Sequence, residues 1–120
     1  ATVLPAGDST VALNSCYVVS TPTLDEAHAF AALLNSAPGA AWLCGIAEPA
    51  RGGYRRFLGW TLSLFPIPTD WAAAVSMLAP IGRAARDGEI PDANALATAV
   101  ARAYRVRLSR LEPLITWCLR

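Results

Sequence analysis

The sequence predicts a mostly helical α+β domain, with a short strand near the N-terminus and a helical C-terminal half. Three observations carry this. Cys16 to Val19 is a β-branched and aromatic run closed by Thr-Pro-Thr, the pattern of a short strand and its exit. Thr23 and Glu26 stand three apart ahead of an apolar series, which is a capping box opening a helix. Beyond Pro68 the chain alternates helix caps with alanine-rich segments and shows no further strand pattern.

Taken in order, the first helix is expected from about Leu24 to Asn35. Ala27, Phe30, Ala31 and Leu34 fall on one face at helical spacing, and Asp25 suits the positive end of the helix dipole. Asn35 to Ala40 is expected as a turn. The short apolar stretch Ala41 to Ala47 fits either a helix or a strand. Glu48 to Gly53 contains a proline and two glycines and is expected as a loop. Pro66 and Pro68 then exclude a continuing helix. After them Thr69 is a candidate cap, Asp70 sits in the first turn, and Trp71, Val75 and Leu78 share a face. Pro80 is expected to kink or split that helix, and Asp87-Gly88 to end it. Asp92 caps the next helix, with Leu96, Val100 and Tyr104 as its stripe. Ser109 and Glu112 make a second capping box, weakened by Pro113.

The chain has 120 residues, which fits one domain. Residues 1–68 read as a mixed strand, helix and loop part, and residues 69–120 as a helical part. The apolar fraction is 54% and the charged fraction 16%, more apolar than an ordinary soluble domain. Alanine accounts for 24 positions and favours helix while adding little hydrophobic area. The remaining excess implies a surface covered by another domain or by a second copy. The opening Ala-Thr-Val-Leu-Pro lacks an initiator methionine and reads as a cut inside a longer protein. No secretory signal or membrane-spanning run is visible. Cys16, Cys44 and Cys118 form no metal-ligand or disulfide spacing and are expected as buried thiols in a reducing cytoplasm.

Catalytic constellations are missing from the pattern. His28 is the lone histidine and has no nucleophile or acid partner at a telling spacing, so it reads as structural. No nucleotide-binding glycine fingerprint or phosphate-binding loop occurs, and no metal site is nominated. Net charge is +1 and gives no argument for nucleic acid by itself. All ten basic residues are arginine, a rigid fork of donors suited to phosphate or carboxylate, although a GC-rich genome also produces this bias. The concentrated stretch is Gly52-Gly53-Tyr54-Arg55-Arg56-Phe57. Paired glycines allow close approach to another backbone, the guanidinium groups can grip phosphates, and Tyr54 can stack or hydrogen-bond. The plain alternative makes Arg51, Arg55 and Arg56 a solvated rim over a core that holds Phe57 and Trp60. A second set, Arg102, Arg105, Arg107 and Arg110, reads most simply as a solvated helix face.

Two of these stretches, with the short run before them, resemble a known family. Phe30 to Leu43, carrying Leu-Leu-Asn-Ser, and Gly52 to Pro68, ending Leu-Phe-Pro-Ile-Pro, are similar to successive segments in the C-terminal target-recognition region of adenine-specific DNA methyltransferases. These belong to restriction-modification systems of the TaqI-like and Eco57I-like kind. Ala12 to Ser20 resembles the short strand preceding the Leu-Leu-Asn-Ser helix, so order and spacing agree over about half the chain. The resemblance implies that the parent enzyme transfers a methyl group from S-adenosylmethionine to the exocyclic nitrogen of a flipped adenine. The catalytic Asn-Pro-Pro-Tyr/Phe motif and the methyl-donor glycine motif do not occur in this chain. It therefore implies a recognition or scaffold segment, with no cofactor of its own. Its partners would be double-stranded DNA and an upstream methyltransferase domain. It nominates the Asn35-Ser36 turn and the Gly52 to Arg56 turn as structural or DNA-facing and no base-reading residue; the candidate DNA-binding residues are Arg51, Tyr54, Arg55 and Arg56. The competing expectation is a protein-interaction or oligomerisation module that docks through Trp71, Trp117 and Leu119.

Overall fold

The computed structural model describes residues 1–118, and within them the mostly helical α+β expectation holds. The helices are α1 (Leu24–Asn35), α2 (Ala37–Ile46), α3 (Gly59–Ser63), α4 (Trp71–Arg86), α5 (Ala93–Ala103) and α6 (Glu112–Cys118). Two short strands, β1 (Glu48–Pro49) and β2 (Arg55–Arg56), pair antiparallel between α2 and α3.

The start of α1 forms the Thr23 half of the expected capping box, while the Glu26 carboxylate takes the Thr23 hydroxyl and not its backbone amide. Thr23 Oγ1 accepts from the Glu26 amide at 3.2 Å and donates to Glu26 Oε1 at 3.2 Å. Glu26 has a second task, because its Oε2 accepts from Trp71 Nε1 at 2.9 Å. One carboxylate thus finishes α1 and ties it to the first residue of α4. The exposed pair Asp25–Arg83 joins the same two helices further along.

Between these ties α1 and α4 lie unusually close. Their facing surfaces carry Ala29, Ala32, Ala74 and Ala79 in the core, and small side chains let helix axes approach. The tightest point is Gly82, where an added Cβ would stand 2.1 Å from the carbonyl oxygen of His28. Leu33 and Leu78 fill the centre, and Leu96 and Val100 of α5 close the core from the side. Phe65, which follows α3, stands edge-on to Phe30 with ring centroids 6.0 Å apart. It anchors the connecting segment to this core.

Several expectations need correction. The strand over Cys16 to Val19 does not form; residues 11–20 are exposed and irregular. A strand needs an edge to pair with, and the only described sheet joins β1 to β2 over two residues each, too short an edge for a four-residue strand. This also removes the strand that the family resemblance implied. The turn over Asn35 to Ala40 shrinks to a corner at Ser36. Ser36 Oγ donates to the Leu33 carbonyl at 2.7 Å and accepts from the Gly39 amide at 3.0 Å, so one buried hydroxyl ends α1 and caps α2. Gly39 is required there, since a Cβ would meet the Leu33 oxygen at 2.0 Å. Ala41 to Ile46 is accordingly helical. Asp70, and not Thr69, caps α4, accepting from the Ala73 amide at 3.1 Å.

Pro80 neither splits nor ends α4, which runs through it. Pro80 and Ser76 are both exposed, so the carbonyl left without its helical donor faces water, where the lost bond costs least. The expected stop at Asp87-Gly88 does form. The Glu89 amide bonds the Ala84 carbonyl at 3.0 Å and the Gly88 amide bonds Ala85 at 3.2 Å, with Gly88 left-handed at φ 98°. α5 ends with the same bonding pattern, but the left-handed residue is Arg105 at φ 56°. Ser109 lies within a short 3-10 turn (Leu108–Arg110), so the second capping box is not formed. No single described helix is long and apolar enough to cross a membrane. α1 and α2 together meet the length and composition but are bent by 69°.

Candidate polyanion-contacting turn

The nominated turn is a small hairpin held by its own backbone. β1 and β2 pair Glu48 with Arg56 and Pro49 with Arg55, and the Ala50 amide bonds the Tyr54 carbonyl at 2.8 Å. Arg51, Gly52 and Gly53 form its tip, with both glycines at φ 80°, a region that non-glycine residues enter only at a cost. The sequence expectation of a featureless loop over Glu48 to Gly53 is replaced by this hairpin.

Strand geometry separates the two neighbouring arginines. Successive side chains point to opposite faces, so Arg55 and Arg56 do not form one paired grip. Arg55 turns toward α6, where its guanidinium carbon lies 5.4 Å from the ring centroid of Trp117. This cation–π contact, at a partly exposed site, stabilises the hairpin against the body by roughly 0.5–1 kcal/mol. Arg56 projects from the other face. Glu48 is its register partner across the pair, yet no ion pair forms between them. Among the described residues none of Arg51, Arg55 and Arg56 is paired with an acid. Tyr54 is 76% exposed and has no hydrogen-bond partner for its hydroxyl among the described residues.

The aromatics expected beneath this rim are displaced. Phe57 and Trp60 are 41% and 51% exposed, so they are not core residues. Phe57 offers its backbone instead, accepting from the Tyr17 hydroxyl at 3.0 Å. The partner that sequence reasoning missed is Trp117, some sixty residues further along the chain, and no local signal links it to Arg55. Behind it, Cys44 and Cys118 meet where α2 packs on α6. The Cys118 thiol is pushed above its ordinary value, chiefly by its hydrogen bond with Cys44, then by burial, while Arg55 pulls it down. These two thiols are part-buried, whereas Cys16 is exposed, against the expectation of three buried cysteines.

The remaining nominated residues scatter. Asn35 is tied to the N-terminal residue, its side-chain amide donating to the Ala1 carbonyl at 2.8 Å, and Ser36 is buried in its capping role. Neither offers a free polar group at the hairpin. Trp71 is half-buried, and its indole N–H is committed to Glu26. Leu119 lies outside the described residues. In the second arginine set, Arg105 reaches Asp70 at 3.3 Å, and Arg102, Arg107 and Arg110 are exposed. His28 is buried to 1% exposure, and its Nδ1 has no partner among the described residues. No nucleophile, base and orienting acid come together, and no metal-holding group of His, Cys, Asp and Glu exists among the described residues. The hairpin presents guanidinium groups that have no acidic partner among the described residues, and among those residues no acid–base or nucleophilic pair is assembled. In comparisons with known proteins, no family model, curated protein or solved structure matches the chain.

Proposed function

We propose that this chain is a DNA-recognition or scaffold module whose hairpin rests on the phosphate backbone of duplex DNA, beside the catalytic domain of an adenine-N6 methyltransferase. The observation that carries the reading is the hairpin: three arginines without acidic partners among the described residues, on a glycine tip, next to an exposed tyrosine. Arg51 and Arg56 supply phosphate contacts, Tyr54 a sugar or phosphate hydrogen bond, and Arg55 holds the hairpin on Trp117 with its N–H edge still free. The ordered Leu-Leu-Asn-Ser and Gly-Gly-Tyr-Arg-Arg segments support the methyltransferase setting. S-adenosylmethionine would belong to the parent catalytic domain, and no residue here is assigned to it.

The test is fluorescence anisotropy of a labelled duplex at low salt. A few phosphate contacts give weak, sequence-independent binding, in the range of roughly 10⁻⁴ M. Arg51→Ala with Arg56→Ala should weaken it about tenfold or more while the far-UV circular dichroism stays unchanged, since both side chains are exposed. Unchanged affinity in the double variant refutes the reading.

A second reading has its own support. Phe57, Trp60, Leu64 and Ile67 follow the hairpin closely and are all exposed, an apolar strip of the kind that marks protein contacts. In that reading the chain docks on a partner protein or on itself. It predicts self-association by light scattering, lost on Trp60→Ala, and no duplex binding at low salt.

A further inference from the structure

A concave space of about 190 Å³ opens between α2, α5, α6 and the segment that carries Phe65. Trp42, Phe65, Val100, Tyr104, Leu111 and Leu114 line it. Its polar side-chain groups are the Trp42 indole N–H and the Tyr104 hydroxyl, and the hydroxyl donates to the Pro66 carbonyl at 2.5 Å. The wall therefore offers almost no hydrogen bond to an occupant. Water needs two to four polar partners to settle in a cavity, and an apolar space of about 150 Å³ is known to stay dry and take up benzene. Charged or hydroxyl-rich molecules would lose their hydration here without compensation.

From this geometry we infer that the space between α2, α5 and α6 is a binding site for an uncharged single-ring aromatic molecule, or a hydrocarbon of that size. Three aromatic walls, Trp42, Phe65 and Tyr104, allow edge-to-face contact with a ring. The site lies apart from the arginine hairpin and shares no residue with it, so it stands or falls independently of the DNA reading.

Toluene is the probe, followed by the methyl resonances of Val100, Val106, Leu111 and Leu114 in two-dimensional NMR. A ligand of that size in a good apolar site binds with a Kd on the order of 0.1–1 mM. The expected result is a saturable shift confined to these methyl groups. Benzoate, similar in shape but charged, should bind at least tenfold more weakly. Val106 lines the mouth and is partly exposed, so Val106→Trp fills the space from the rim and should abolish the saturable shift. Leu114→Phe does the same from α6 and stands in should the first variant lose its circular dichroism. Shifts that rise linearly to the solubility limit, or that scatter over the molecule, overturn the inference. So does equal affinity for benzoate, or full toluene affinity in a folded cavity-filled variant.

Discussion

Replacing Gly82 with alanine should destabilise the protein, although the same change in an open helix stabilises. Alanine is preferred to glycine in a helix interior by about 0.8–1 kcal/mol. At Gly82 the new methyl would sit 2.1 Å from the oxygen and 2.7 Å from the carbon of the His28 carbonyl. Both are backbone atoms of α1, so no side chain can swing aside. Relief requires α1 and α4 to part by about 1 Å, and a gap of that size forfeits a quarter to a half of each dispersion contact along the seam. Overpacking of this kind costs typically 1–3 kcal/mol, occasionally more. With the propensity gain subtracted, the net loss is about 1 kcal/mol. In urea, with a slope of about 1.5 kcal/mol/M for a domain of this size, the unfolding midpoint falls by about 0.7 M. Far-UV circular dichroism and tryptophan fluorescence both follow it. The internal control is Gly45→Ala, where the nearest side-chain atoms lie 3.9 Å away and the midpoint should rise. If Gly82→Ala equals or exceeds the wild type, the close α1–α4 seam is not the organising contact of the fold.

Three further outcomes follow from individual contacts. Trp71→Phe removes the donor to Glu26 while keeping an aromatic ring, and should cost about 1 kcal/mol in urea unfolding; no change would mean that the bond contributes nothing. Arg105→Gly relieves a left-handed backbone costing about 1–2 kcal/mol and gives up one exposed ion pair of small value. Stability should therefore rise, by about 0.5–1 kcal/mol once the greater freedom of glycine in the unfolded chain is counted, and a fall would refute this. Burial pushes the Tyr104 hydroxyl up to about 12 from an ordinary 10. The folded state then keeps a proton that the unfolded chain releases, so this contribution is complete below pH 10 and is lost as pH rises from 10 toward 12. Urea midpoints measured across that interval should decline less steeply in Tyr104→Phe than in the wild type, and equal slopes would contradict the assignment.

How much of this was legible in the sequence depended on whether a feature is local. The caps at Thr23 and Asp92 and the glycine stop at Gly88 are decided within four or five residues, and they form as the pattern predicts. Cys16 to Val19 has strand propensity, but a strand is a pairing, and the partner edge is not written in that segment. Ser36 looked like part of a wide turn because Pro38 and Gly39 usually break structure. Here proline occupies a permitted first-turn position, and glycine is kept by its contact with Leu33. At the candidate site, the glycine tip and its cations were visible, while the opposite orientation of Arg55 and Arg56 needed the β1–β2 pairing. The anchor on Trp117 needed the packing of α6 on α2, a long-range contact without a sequence signature.

The salt dependence of duplex binding tests the central functional claim most directly. Each phosphate contact contributes a slope of about 0.9 in log K against log salt. With Arg51 and Arg56 as the free contacts, the account predicts that the wild type loses roughly two units of slope in the double alanine variant. Binding that is absent at low salt, or a slope that the double variant leaves unchanged, contradicts it.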